Sequence, residues 1–355
     1  MNSRRLLLTF ALAFSLGILA AVYLLRGATN SSQQIVGTPI GDAPAQTAAP
    51  ADDAAAPDDA DEPDDEGGHD AWPDEAGTPE QVLYRQARLM QDAVGGLAAR
   101  TPDKPNLYLI AFAGDGSENV FRNEAEFVGK LFQERFAAIG HTILLINNPA
   151  TLTQYPLASL SNLQAAVEAI NERIDPENDV LVLFMTSHGS REHELSVALD
   201  PLPLDQIAPE DLVDAFADTK IRNKVFVISA CYSGGFIEPL KGPTTMVITA
   251  ARSDRTSFGC GVKSAITDFG RAFFANGLND HDTFPAAFAE ARQLITEWET
   301  KAGEVHSEPQ IATAPQIEGR LKAWRDSIHL GPPVPFASPA RGRKPGGIRT
   351  LTAEK

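Results

Sequence analysis

Two cysteines in 355 residues, Cys231 and Cys260, are too few to staple a fold together. They also exclude zinc sites built from paired CxxC motifs. No basic stripe with interleaved aromatics runs anywhere in the sequence, so nucleic acid is not an expected partner. Lys and Arg are missing altogether from residues 28–75, which hold thirteen Asp and Glu. That stretch supplies most of the net charge of −17, because residues 76–355 carry 34 acidic against 27 basic side chains, a balance of −7. The acidity therefore says little about partners of the folded part. Internal repeats are absent too, and the length suits one large α/β domain or two small ones.

Residues 6–25 are uncharged and mostly apolar, between Arg4-Arg5 and Arg26. Twenty residues of helix reach about 30 Å, the thickness of a bilayer core. Secretory signal peptides have shorter apolar regions and end at a small-residue cleavage site, which Tyr23-Leu24-Leu25-Arg26 is not. Residues 1–27 are thus expected to be an uncleaved membrane anchor rather than a signal sequence. Arg4-Arg5 would keep its start cytoplasmic and place the rest outside, in the periplasm if the source is bacterial. The acidic Ala/Pro/Asp-rich residues 28–77 bury too little to offset the entropy of ordering and read as a disordered linker. Residues 331–355, rich in Pro, Gly and Arg, read as a tail.

Between them, residues 78–330 alternate between two periods. Continuous apolar runs at 107–113 (LYLIAFA), 141–146, 180–186 (VLVLFMT), 225–230 (VFVISA) and 245–250 (TMVITA) read as buried strands. Segments 79–95, 124–139, 160–174, 212–217, 267–277 and 284–301 have helical spacing. Strands separated by helices imply βαβ units, a mostly parallel sheet and three layers.

The chemistry is expected where the third and fourth strands end. The third runs into Thr186-Ser187-His188-Gly189-Ser190, the fourth into Ser229-Ala230-Cys231-Tyr232-Ser233-Gly234. Ligands of open parallel sheets bind beyond the carboxyl ends of strands, so neighbouring strands would bring His188 and Cys231 into one cleft. A thiol nucleophile needs such a pairing, with imidazole to manage protons. The flanking glycines allow a substrate backbone to come close, and the N–H groups of Gly189 and Cys231 are candidate donors to an oxyanion. Position alone does not separate this reading from an ordinary core cysteine beside an ordinary histidine. His193 sits in a polar run that reads as a solvated loop, although it could line the cleft, and Cys260 reads as a structural thiol. If the domain lies outside the cytoplasm, a Cys231–Cys260 disulfide would silence the pair. The turn Gly114-Asp115-Gly116 lacks the spacing and the Lys of a phosphate loop.

An apolar run ending in His-Gly, followed by another ending in Ala-Cys, resembles the caspase-fold cysteine peptidases. Thr186–Ser190, Ser229–Gly234 and the downstream residues 249–260 (TAARSDRTSFGC) look most like legumain, the asparaginyl endopeptidase, and its bacterial relatives. The resemblance spans roughly residues 105 to 320. It implies a caspase-like three-layer αβα sandwich and hydrolysis of peptide bonds by a Cys231–His188 dyad, on protein or peptide substrates, without metal or cofactor. It also implies cleavage after Asn, or Asp, in a pocket of Arg122, Ser257 and Asp268. Arg122 could instead pair with Glu126 on the surface, and Asp268 could be a residue at a helix start. Legumain places an Asn two residues before its pocket Arg to orient the histidine. That position here is Val120, with Asn119 one residue earlier, so the third catalytic member stays unassigned. An amine acceptor in place of water would make the same dyad a transpeptidase or ligase. A binding module that has lost catalysis remains a third reading, and the oligomeric state is not legible.

Overall fold

The computed structural model describes residues 72–261 and 264–337. The expected anchor at residues 6–25, most of the linker 28–77 and most of the tail 331–355 lie outside the described residues. Among those described, no helix is long and apolar enough to cross a membrane.

Six strands form one sheet in the order β2-β1-β3-β4-β5-β6. They are β1 Leu107–Ala113, β2 Thr142–Ile146, β3 Val180–Thr186, β4 Asn223–Ser229, β5 Thr245–Thr249 and β6 Gln310–Ala312. All pairings are parallel except that of β6 with β5. Every residue of β1 and β3 is buried, as an unbroken apolar run at the centre of a parallel sheet should be when both faces are covered. Seven helical segments cover those faces: α1 Pro79–Gly95, α2 Asn119–Glu134, α3 Leu160–Arg173, α4 Pro209–Ala217, α5 at residues 268–280, α6 Phe284–Ala302 and α7 Pro315–Ser327. The middle of α5, Arg271–Gly277, winds as a π-helix.

Alternation along each strand divides the core in two. Leu109, Ala111, Val182, Phe184, Val225 and Val227 pack on one face with side chains of α2, α5, α6 and α7. Tyr108, Ile110, Leu181, Leu183, Phe226 and Ile228 pack on the other with α1, α3 and α4. The result is a three-layer α/β arrangement with a mostly parallel six-stranded sheet, which fits the caspase-like fold expected. Because β1 lies between β2 and β3, the direction of winding reverses there. In open α/β sheets such a reversal opens a crevice beyond the strand ends.

The structure departs from expectation in several places, the first being helix α7, which no expected segment matches. Helix α2 was expected at 124–139 but begins five residues earlier and stops at Glu134. The left-handed turns at Ala137 and Gly140 end the helical path, so Phe136 is buried from outside the helix and Ile139 is left 71% exposed. The short strand β6 was not anticipated, since three residues carry no legible alternation. The tail was expected from residue 331, yet residues 331–337 pack on the domain. The Gly331 N–H donates to the Arg135 carbonyl and the Arg135 guanidinium donates to the Gly331 carbonyl. Asn279 holds both backbone groups of Val334, which is buried, and the Phe336 ring meets Phe127 edge-on at 5.2 Å.

Ending the chain after residue 330 should therefore lower its stability relative to ending it after residue 337. Losing the burial of Val334 and Phe336 is worth on the order of 2–3 kcal/mol, or roughly 5–10 °C in Tm for a domain of this size. Equal melting temperatures for the two chains in differential scanning calorimetry would show that the segment contributes nothing.

Candidate active site

The pairing of β3 with β4 sets the site. Thr186 lies directly opposite Ser229 in the parallel register, and His188 and Cys231 each stand two residues beyond that pair. The ladder continues one step, with the Ser187 N–H donating to the Ser229 carbonyl at 3.2 Å. Adjacent strands are spaced about 4.8 Å apart, so the backbones that carry His188 and Cys231 leave the sheet side by side. Gly189 then passes against the nucleophile's own backbone: a Cβ there would fall 2.2 Å from the Cys231 carbonyl oxygen, so only glycine fits. Neither the Gly189 nor the Cys231 N–H donates to a protein acceptor among the described residues.

Beyond Cys231 the chain turns sharply. Tyr232 adopts the left-handed conformation with φ 55°, which costs a non-glycine residue on the order of 1–3 kcal/mol and persists only where neighbours hold it. Here they do. Its N–H donates to the Arg255 carbonyl at 2.7 Å, its carbonyl accepts from the Gly235 N–H at 3.1 Å, and His193 Nδ1 lies 3.1 Å from that carbonyl. His193 was expected in a solvated loop. It is instead half-buried over Tyr232–Gly235, where a Cβ on Gly235 would strike its ring, and Arg191 lies across the Tyr232 ring. The spacing of a polar run carries no sign of such a clasp.

The Cys231 sulfur rests on Ser257. The Ser257 N–H donates to it at 3.3 Å, and the Ser257 carbonyl and hydroxyl lie at 3.5 and 3.8 Å. Ser257 thus lies against the Cys231 sulfur, and Asp268 is near it in the fold. Asp268 opens α5, its N–H donates to the Phe258 carbonyl, and burial raises its carboxyl above the usual range while Arg271 opposes the rise. Thr267, not Asp268, caps that helix. Arg122 contacts neither directly. Its guanidinium donates to Asn148 Oδ1 at 2.9 Å and to Asn123 Oδ1 at 3.0 Å, and it makes no hydrogen bond to Ser257 or Asp268. Both cysteines are free. Cys260 is partly buried, and burial, reinforced by the nearby Cys231 and Glu118, pushes its thiol up to about 11.

Two carboxyls complete the surroundings, and neither was anticipated because both precede or begin the helix as first read. Glu118, at the N-cap of α2, brings Oε2 to 3.9 Å from His188 Nε2. Glu124, one turn into α2, is fully buried beneath the ends of β3 and β4. The Thr267 N–H donates to its Oε2 at 3.2 Å, the hydroxyls of Thr186, Ser229 and Thr267 face it, and Gly270 of α5 presses against it. Burial pushes this carboxyl up from 4.5 to about 7, against the opposing effect of those hydrogen bonds.

A thiol and an imidazole at adjacent strand ends of a doubly covered, mostly parallel sheet form an arrangement that suits a cysteine hydrolase. Comparison with protein families narrows it. Residues 159–319 match the model of the Peptidase C13 family, a match that supports a legumain-like cysteine peptidase, a hydrolase acting on peptide bonds. The matched span contains His188, Cys231, Ser257 and Asp268, and begins after Glu118 and Arg122. No curated protein matches the sequence.

The buried Glu124 makes stability depend on pH in a defined direction. Its folded value lies above its unfolded one, so the folded chain holds the proton more tightly. The stabilisation is complete below about pH 4.5 and is lost as pH rises through about 7. Tm should accordingly be higher at pH 5 than at pH 8, and Glu124→Gln should reduce that difference. An unchanged slope in the variant would mean that Glu124 is not the titrating group.

Proposed function

We propose that the chain is an endopeptidase that cleaves after Asn through a Cys231–His188 dyad. The observation that carries this reading is the β3–β4 register, which sets His188 and Cys231 at equal steps beyond one cross-strand pair, with Gly189 against the nucleophile's carbonyl. The Sγ thiolate of Cys231 attacks the scissile carbonyl carbon, and the displaced electron pair moves to oxygen. The free N–H groups of Gly189 and Cys231 receive that oxyanion. Collapse re-forms the carbonyl and breaks the C–N bond, and imidazolium of His188 gives its proton to the departing amine. Water then loses a proton to His188 as it attacks the acyl-thioester. The carbon–sulfur bond breaks, the acid leaves and the thiolate returns.

The preference for Asn rests on Arg122, Ser257 and Asp268. A carboxamide offers one acceptor and two donors, and a pocket that answers both rejects side chains that would leave a buried polar group unpaired. Arg122, fixed by Asn148 and Asn123, would donate to the amide oxygen, and the Asp268 carboxylate would accept from the amide nitrogen. Asp would be the second choice. The uncharged residues 6–25 behind Arg4-Arg5 would anchor the chain by a single N-terminal helix, with the peptidase domain extracytoplasmic.

The full chain, purified in detergent, should release fluorophore from an Asn-terminated peptide. Cys231→Ala should abolish turnover, and Gly189→Ala should reduce it at least about a hundredfold by displacing the Cys231 carbonyl. Peptides ending in Asp, Lys and Arg complete the measurement. Preference for Lys or Arg would retain the dyad and sink the pocket, and turnover that survives Cys231→Ala would sink the dyad.

A further inference from the structure

We propose that Glu118 is the residue that positions and charges His188, taking the place in the triad left vacant by the absence of an orienting asparagine. This inference rests on the Cys231–His188 reading above. Three observations meet at this carboxyl. Its Oε2 lies 3.9 Å from His188 Nε2, while its side chain is only 17% exposed. That same oxygen is buried with no hydrogen-bond partner among the described residues. A carboxylate at a helix N-cap ordinarily accepts from the free N–H groups of the first turn, yet the Glu118 side chain makes no such bond at the start of α2. Its only close counter-charge among the described residues is the imidazole.

The neighbours that could do the same work are otherwise occupied. Asn119 Oδ1 accepts from Asn148 Nδ2 at 3.0 Å, within the chain of amides that holds Arg122. Val120 is apolar. Asp115 uses its carboxylate on the Ser117 N–H and hydroxyl and on the Ser196 hydroxyl. Phe121 meets the His188 ring edge-on at 5.0 Å, which fixes the ring plane but accepts no proton.

The charged and titratable groups around Glu118 are His188, Asp115 and Cys260. Burial raises the Glu118 carboxyl above the ordinary range, His188 draws it back down, and Asp115 adds to the rise. The separation is that of an ion pair rather than a hydrogen bond, and such contacts in resting enzymes tighten when substrate closes the site. Physically, a carboxylate beside the imidazole favours the charged ring. In the internal equilibrium between thiol with imidazole and thiolate with imidazolium, it therefore populates the reactive pair at neutral pH. Glu118 touches neither the substrate nor the sulfur, so it is a positioning residue.

The test is the pH profile of Cys231 alkylation by iodoacetamide in the full chain. Mass spectrometry of the Cys231 peptide separates the signal from that of Cys260. Wild type should alkylate rapidly at neutral pH. Glu118→Gln should be slower there by about tenfold, yet equal to wild type above about pH 9.5, where the thiolate forms without help from the imidazolium. Glu118→Asp should recover part of the neutral rate. A Glu118→Gln profile that coincides with wild type, or that drops by one factor at every pH, would overturn the proposal and leave the dyad standing. A Cys231 inert at neutral pH in wild type would overturn the dyad and this role together.

Discussion

The parallel ladder between β3 and β4 is the constraint on which the site depends. Each backbone hydrogen bond along it fixes the relative height of two strands. Slipping that register by one residue would turn the side chains of one strand to the opposite face of the sheet. Both strands are packed on two sides, by Phe184 and Val227 on one face and Leu183 and Phe226 on the other, so any slip would bury the wrong side chains. The alignment of His188 with Cys231 is therefore held by two cores and not by the few atoms around the sulfur. Site precision here is a by-product of sheet packing.

Beneath that alignment lies a polar floor where an apolar one would be expected. Thr186 and Ser229, the last paired residues, turn hydroxyls toward Glu124, and the start of α5 closes over them through Thr267 and Gly270. A buried carboxyl that is neutral below its shifted range avoids the cost of an unpaired charge and still accepts from the Thr267 N–H. The arrangement joins β3, β4, α2 and α5 at one point directly under the cleft. The π-helical turn that follows Gly270 lies beside this junction, a location in which such irregular turns are common.

Much of this was legible in the sequence, for identifiable reasons. Strands β1, β3 and β4 announce themselves because burial on both faces demands unbroken apolar runs, and their ends carry His-Gly and Ala-Cys. Ser257 and Asp268 could be found because their surroundings resemble a known pattern. Glu118 and Glu124 could not. Burial of a carboxyl leaves no mark in one sequence, and the α2 boundary was read too late because its first turn mixes Asn, Arg and Glu with two buried apolar residues. Arg122 was singled out by resemblance, but its amide partners Asn123 and Asn148 join it only through folding, one of them from 26 residues away. The packing of residues 331–337 was hidden by their Pro- and Gly-rich composition, since two anchoring side chains, Val334 and Phe336, suffice to hold them.

The left-handed turn at Tyr232 has a mechanical consequence. Its backbone is held away from its relaxed form by the Arg255 carbonyl, and the loop bearing Arg255 is tied in turn to Ser307 through the Arg252 N–H and to Glu308 through the guanidinium of Arg252. The strained turn beside Cys231 is thereby tied, through two successive loops, to residues 307 and 308 just before β6 at the last edge of the sheet.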